Sequence, residues 1–333
     1  MAESRFLIVR LGSLGDIIHT LPAAAALRDS FPHARIDWLV EVRWQQILEG
    51  NRDLNDVITF DRSGIASVAD TVNRLRAVRY SCALDFQSLY KSALFARAAG
   101  AREVVGFSWG YAREPLATLL YSRRVHPSET HKIEQNLALV EAIGAKRATL
   151  RFTLPESSEA DHWIAEQLHA NGIGDFYVVS PGGGWRSKCW PAERYGALHQ
   201  VLAKNFGWRG IVTFGPGEEA LAAEVVAAGG DRAPLPIAMS LPQLVSLLRR
   251  AKFFVGADTG PMHLAAALGA PVVALFGPTD PARNGPYSER SIVVRKALAG
   301  ETTYRRGASY SAAMLRIEVE DVVAAISRLA DLR

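Results

Sequence analysis

Short apolar runs alternate with amphipathic stretches of helical length along the whole of this chain. In the first half, residues 6–11 (FLIVRL), 36–40 (IDWLV), 57–60 (VITF), 82–86 (CALDF) and 104–107 (VVGF) read as strands. Helices fit between several of them, at Ile17–Ser30 and Leu89–Ala99. The second half repeats the scheme, with strands at 176–180 (FYVVS), 211–215 (IVTFG), 253–257 (FFVGA), 272–277 (VVALFG) and 291–295 (SIVVR). Its helices fall at Glu193–Asn205, Glu218–Ala228, Leu241–Ala251 and Pro261–Leu268, and a last helix, Val319–Leu332, opens on an acidic first turn.

Strands that are apolar throughout are buried on both faces, which requires a parallel sheet covered by helices on each side. Two such series make two doubly wound, Rossmann-like α/β domains, a division that 333 residues also favour. The Pro/Ser/Glu cluster within 150–163 marks the boundary, giving domains at 1–155 and 156–333. Two such domains facing one another would bind ligands in the cleft at the carboxyl ends of their strands.

Composition narrows the class. Hydrophobic residues at 49% and charged residues at 22% describe a soluble globular protein. No apolar run approaches the roughly 20 residues of a spanning helix, and the N-terminus lacks a signal-peptide pattern. Cys82 and Cys189 are too few for a zinc cluster or disulfide framework, which points to a reducing cytoplasm. Residues 1–155 hold 20 Lys and Arg against 16 Asp and Glu, and the remainder 18 against 18, so the net charge of +4 lies in the first domain. An acidic sugar or a membrane headgroup surface would account for that surplus, as would simple scatter of a few charges. Nucleic acid is not expected, because no basic run carries interleaved aromatics.

Candidate chemistry concentrates where strands end. Asp258-Thr259-Gly260 stands between the strand 253–257 and an alanine-rich helix. The amides and dipole of a helix N-terminus suit a phosphate or diphosphate, Gly260 lets it approach, and Thr259 offers a hydroxyl. Asp258 would be repelled by a diphosphate and fits better against the hydroxyls of an attached sugar; alternatively, Asp258 or Thr259 caps the helix. The turn 11–22 (LGSLGDIIHTLP) is neither a Walker loop nor a dinucleotide fingerprint. Its Asp16 is either a helix cap or the base for an attacking hydroxyl. In 181–191 (PGGGWRSKCWP), three glycines open backbone amides to an anion, and Lys188 either neutralises a leaving phosphate or is a surface lysine. Glu218 and Glu219 either accept ribose hydroxyls or favour the next helix N-terminus. In the first domain, Asp85, Gln87 and Lys91 stand at a strand end, and this segment with residues 111–124 could supply Lys91, Arg113 and Arg123 to an acidic acceptor. There is no Asp-x-Asp pair and no set with metal-ligand spacing, so metal-dependent transfer is not expected. His263, inside its helix, fits packing or a local hydrogen bond better than catalysis.

Together these segments resemble the ADP-heptose:lipopolysaccharide heptosyltransferases, glycosyltransferase family 9, nearly end to end. The stretches that carry the resemblance are Arg10–Pro22, Asp85–Ser92 (DFQSLYKS), Ala112–Ala117 (AREPLA), Lys188–Pro191 (KCWP), Asp258–Leu264 (DTGPMHL) and Gly277–Pro281 (GPTDP). The Asp85 and Arg113 segments look more like heptosyltransferase I, which adds the first heptose to Kdo, than heptosyltransferase II.

The resemblance implies a GT-B fold with an N-terminal acceptor domain, a C-terminal ADP-heptose domain and a terminal helix packing back on the first domain. It implies inverting, metal-independent transfer to Kdo-lipid A. A monomer in the cytoplasm is expected, and the basic surplus of the first domain is compatible with peripheral contact with the inner membrane. No cofactor is implied, since ADP-heptose is a substrate. On the matching positions Asp16 becomes the general base, with Gly15, Asp85, Gln87, Lys91, Arg113 and Arg123 on the acceptor side. Lys188 and the amides around Thr259-Gly260 hold the diphosphate, and Asp258, with His263 nearby, holds heptose hydroxyls. Glu219, or Glu218 if the loop aligns one residue differently, takes the ribose, and Met239 packs adenine.

Between Gly50 and Arg79, where the family places basic acceptor contacts, the chain offers only Arg52, Arg62, Arg74, Arg76 and Arg79, unranked. Rival readings are heptosyltransferase II or a related transferase acting on an already heptosylated core, a sugar-nucleotide epimerase of the same fold, and a silent binding protein. The joint presence of Asp16 and Asp258 speaks against the last.

Overall fold

The computed structural model describes residues 4–61, 64–147 and 150–330. The chain divides into two compact units, Met1–Pro155 and Glu156–Arg333. In the first, β1 (Arg5–Val9), β2 (Arg35–Glu41), β3 (Asp56–Phe60), β4 (Cys82–Asp85), β5 (Glu103–Phe107) and β6 (Arg123–Val125) form one parallel sheet in the order β3-β2-β1-β4-β5-β6. In the second, β7 (Phe176–Ser180), β8 (Arg209–Phe214), β9 (Leu235–Ala238), β10 (Phe254–Ala257), β11 (Val272–Phe276) and β12 (Ser291–Arg295) run β12-β11-β10-β7-β8-β9. Counted within each unit, the two orders are the same, and both are doubly wound. The order reverses beside the first and fourth strands, so each unit has its switch point there: between β1 and β4, and between β7 and β10.

The central strands are buried because their residues are apolar on both faces; β7, β10 and β11 have no accessible position. The first core gathers Leu7, Val9, Leu39 and Val104 with Phe60, Phe95 and Tyr121. The second packs Tyr177, Trp190, Val255 and Val273 around Leu198 and Leu202.

Two strands lie outside the sequence expectation. β6 is three residues long with two exposed arginines, and β9 carries Pro236, which has no amide to donate. Both are edge strands, where short, polar or proline-containing segments are tolerated.

The helix expected over Ile17–Ser30 is two helices, Leu14–Ile18 and Leu21–Ser30. Pro22 occupies the first turn of the second, where its missing amide costs no helical hydrogen bond. The Thr20 hydroxyl donates back to Asp16 O at 2.9 Å, and Asn136 Nδ2 donates to His19 O at 2.9 Å, so the break is satisfied by side chains.

The terminal helix, Val319–Ala330, contributes its buried Val322, Ala325, Ile326 and Leu329 to the core of the second unit. The preceding segment is fixed by Trp190, whose Nε1 donates to Ile317 O at 2.8 Å. No helix among the described residues is long and apolar enough to cross a membrane.

Candidate active site

In the first unit the chain leaves β1 through Arg10 and turns at Gly12 into the helix Leu14–Ile18. Gly12 has φ +156°, and a Cβ there would lie 2.6 Å from Trp44 Nε1, so the turn requires glycine. Arg10 is buried, and its Nη2 meets Asp16 Oδ1 at 2.5 Å while its Nη1 donates to Phe86 O at 2.5 Å. The Ser13 amide and hydroxyl donate to Asp16 Oδ2 at 3.3 and 3.1 Å. Asp16 thus tethers its own helix start, as a cap would, and is also ion-paired.

Burial alone would raise the Asp16 carboxyl. Arg10, the Ser13 donors and the Arg113 charge outweigh it and hold Asp16 below the ordinary carboxylate range. The side chain keeps 30% of its surface exposed, so it stays reachable.

Asp85, at the end of β4 across the switch point, is fully buried. Its Oδ1 accepts from the Gln87 and Ser88 amides, and its Oδ2 from the Ser92 and Tyr121 hydroxyls. Gly106, in register with Asp85 on β5, makes room for the Tyr121 ring, since a Cβ there would lie 2.3 Å from it. The expected acceptor contact is therefore corrected: Asp85 has no exposed surface and organises the loop that carries Gln87. Gln87 Oε1 accepts from the Leu11 amide at 2.7 Å, which ties this loop to the Asp16 turn.

Gly15 is buried inside the first helix. Lys91 is half-exposed and paired with the buried Glu41 at 3.3 Å. Arg113 is exposed and acts on Asp16 through its charge. Arg123 does not join this group; it pairs with Glu103 at 3.8 Å, at the amino ends of β5 and β6. Of the arginines in 50–79, Arg76 donates to Ala98 O and Arg74 faces Asp56, while Arg62 lies outside the described residues.

In the second unit, the loop after β7 and the residues after β10 meet at the other switch point. Lys188 Nζ lies 2.9 Å from Asp258 Oδ2, and His263 Nε2 donates to Asp258 Oδ1 at 3.2 Å. All three are buried. Burial would raise the Asp258 carboxyl, but the His263 hydrogen bond and Lys188 charge hold it far below the ordinary range. His263 thus buttresses Asp258.

Thr259 occupies the N-cap position of the helix Gly260–Ala267, yet its hydroxyl makes no capping bond. With Pro261 in the first turn, the amides of Gly260 and Met262 have no intrahelical acceptor. The buried Thr259 Oγ1, Thr279 Oγ1 and Trp185 Nε1 find no hydrogen-bond partner among the described residues. These three follow β10, β11 and β7, which are adjacent in the sheet. Unpaired buried donors at neighbouring strand ends fit an anionic, oxygen-rich ligand.

Glu218 and Glu219 separate clearly. Glu218 Oε2 accepts from the Gly215 amide at 2.9 Å, and its carboxylate lies over the glycine loop, where a Cβ on Gly182 would be 2.1 Å away. Glu219 is exposed and accepts from the Gly217 amide at 3.2 Å. Met239 is half-buried after β9, next to the Ser240 cap of the helix Leu241–Arg250. Sequence reading missed Arg10, Trp185 and Thr279, whose significance depends on partners distant in the chain. Among the described residues, no three His, Cys, Asp or Glu side chains gather as a metal site.

Comparison with known proteins bears on this geometry. Residues 68–313 match the profile of Glycosyltransferase family 9 (heptosyltransferase). Over 305 residues the chain is 32% identical to lipopolysaccharide heptosyltransferase 1 of Escherichia coli (strain K12), covering 87% of this chain and 93% of that protein. Lipopolysaccharide heptosyltransferase 3 of the same strain is 27% identical, with 95% of each chain covered. Among solved structures, E. coli heptosyltransferase WaaC with ADP has a TM-score of 0.77 at 27% identity, over 98% of this chain and 99% of that one. The two doubly wound units are accordingly those of the GT-B fold. The profile match and the identity carry the conclusion: this chain belongs to glycosyltransferase family 9, the heptosyltransferases.

Proposed function

We propose that this protein transfers a heptosyl group from ADP-heptose to the Kdo of a lipid-linked acceptor such as Kdo-lipid A, with inversion and without a metal ion. The observation that carries the reading is the Lys188–Asp258–His263 cluster beside the open N-terminus of Gly260–Ala267. A single buried lysine and a helix start can meet a diphosphate, while Asp258 remains as an acceptor for sugar hydroxyls. The names of the relatives, heptosyltransferases of lipopolysaccharide synthesis, support the donor and acceptor classes.

In this reading the acceptor hydroxyl attacks the anomeric carbon of heptose. The bond from that carbon to the diphosphate oxygen breaks, and its electron pair leaves with ADP. The hydroxyl proton passes to Asp16, which Arg10 and Ser13 keep ionised. Asp16 is then a weak base, sufficient when the proton leaves late, after bond formation has acidified the hydroxyl. Lys188, the Thr259 hydroxyl and the Gly260 and Met262 amides stabilise the charge growing on the diphosphate. Glu218 takes the ribose hydroxyls, since it and not Glu219 lies over the glycine loop.

The acceptor would be met by Lys91 and Arg113 in the first unit, and the enzyme would work at the cytoplasmic face of the inner membrane as a monomer. The test is ADP release from ADP-heptose with and without Kdo-lipid A. Release that needs the acceptor and collapses in Asp16→Ala, while ADP still binds, is the expected result. Release only with an already heptosylated acceptor would transfer the assignment to a later step of the core.

A further inference from the structure

The segment between β12 and the helix Ala312–Leu315 is tied down at two points. The Thr303 amide donates to Pro278 O at 2.7 Å, in the loop after β11. The Ser187 amide donates to Gly307 O at 3.2 Å, and the Gly307 amide to Ser187 Oγ at 3.3 Å, in the turn after β7. β11 and β7 are the two neighbours of β10. Residues 303–307 therefore form a strap between the loops that flank the carboxyl end of β10, where Asp258 and Thr259 stand.

The strap is basic. Arg305 and Arg306 are exposed, and no acidic residue occurs from Thr302 to Ile317. The Arg306 guanidinium lies 5.6 Å from the centroid of the Trp185 ring, and Lys188 Nζ lies 4.5 Å from the same centroid. The two cations thus stand within about one Debye length of each other at moderate salt. Lys188 is balanced by Asp258, whereas no carboxylate pairs with Arg306 among the described residues. Two cations at one ring, one of them uncompensated, make a site for an anion with more than one charge.

Its position on the sheet identifies which part of a nucleotide sugar it would meet. Glu218 follows β8, on the far side of β7 from the strap. A nucleotide whose ribose lies at Glu218 and whose sugar lies at Asp258 directs its sugar-linked phosphate toward β10 and the strap. We infer that Arg306 is a second cation for the donor diphosphate, held beside Lys188 by the Trp185 ring and acting on the phosphate that carries the sugar. The inference rests on the donor reading above. When the sugar–oxygen bond breaks, its electron pair remains on that phosphate, where Arg306 and Lys188 together meet the charge.

Calorimetric titration of ADP and AMP into wild type, Arg306→Ala, Arg306→Lys and Arg305→Ala tests it. Arg306→Ala is expected to weaken ADP about tenfold, the loss of one charge-assisted contact, and to change AMP less than about twofold. Arg306→Lys should fall between, and Arg305→Ala should bind ADP nearly as wild type. Unchanged ADP binding in Arg306→Ala, equal losses of ADP and AMP, or an equal loss in Arg305→Ala would each overturn the assignment. Wild type that binds neither nucleotide would overturn the donor reading itself, and the inference with it.

Discussion

Replacing Arg10 by glutamine removes the buried cation 2.5 Å from Asp16 and keeps a shorter, neutral polar side chain. At an effective dielectric of about 20, opposite charges centred about 4 Å apart attract by about 4 kcal/mol. Solvent reaches the 30% of Asp16 that is exposed, and Ser13 and Arg113 still favour the carboxylate, so much of that attraction is screened or replaced. The expected net effect is a rise in the Asp16 pKa, since the largest of the charges that hold it down is gone. The sign follows from the role. Asp16 accepts a proton only when ionised, so activity falls on the acid side as it protonates, and a higher pKa moves that limb upward. The assay is the pH dependence of kcat/KM for acceptor-dependent ADP release, with circular dichroism confirming the fold at each pH. Arg10→Lys should restore much of the wild-type limb, and Arg113→Gln should move it in the same direction by less. An acid limb that stays in place in folded Arg10→Gln would refute the claim that this ion pair sets the state of Asp16.

Three further outcomes are expected. Glu218→Gln should weaken ADP by about tenfold while Glu219→Gln changes it less than about twofold, read by the same titration. Tyr121→Phe leaves buried Asp85 one hydrogen bond short and should cost about 1–3 kcal/mol in urea unfolding. Asp258 has a pKa depressed in the fold, so its contribution to stability is complete above its ordinary value of 3.8 and is lost as pH falls below it. Asp258→Asn should therefore flatten the acid side of the stability profile between about pH 4 and 2, measured by thermal melts.

The parts of this fold that were legible in the sequence are those whose burial is uniform. The centres of β1, β7, β10 and β11 could be read because both faces are covered, so every position is apolar. β6 and β9 escaped because an edge strand needs little burial and can hold arginine or proline. The site divides along the same line. Asp16, Lys188 and Asp258 stand in the turns that follow strands, so local position singles them out but leaves each with two readings, a helix cap or surface residue against a ligand contact. Asp85 stands in the same kind of place, yet Tyr121 and Ser92 enclose it, and neither residue reveals that by spacing. Arg123 belongs to the wrong end of its strand, a fact that depends on recognising β6. Glu218 and Glu219 are neighbours in sequence, and only the approach of Gly182 separates them.

The matching strand order of the two sheets has a consequence for how such a chain can change over time. Each half places its buried charged clusters in the turns after its first and fourth strands, and its accessible positions on the flanks: β6, β9 and β12 carry exposed residues, and β3 is mostly half-buried. Tolerance to substitution should therefore rise outward from the middle of each sheet, in the same order in both halves. The flanks and the loops leaving them can be remodelled at little cost, while the inner strands, packed on both faces, cannot.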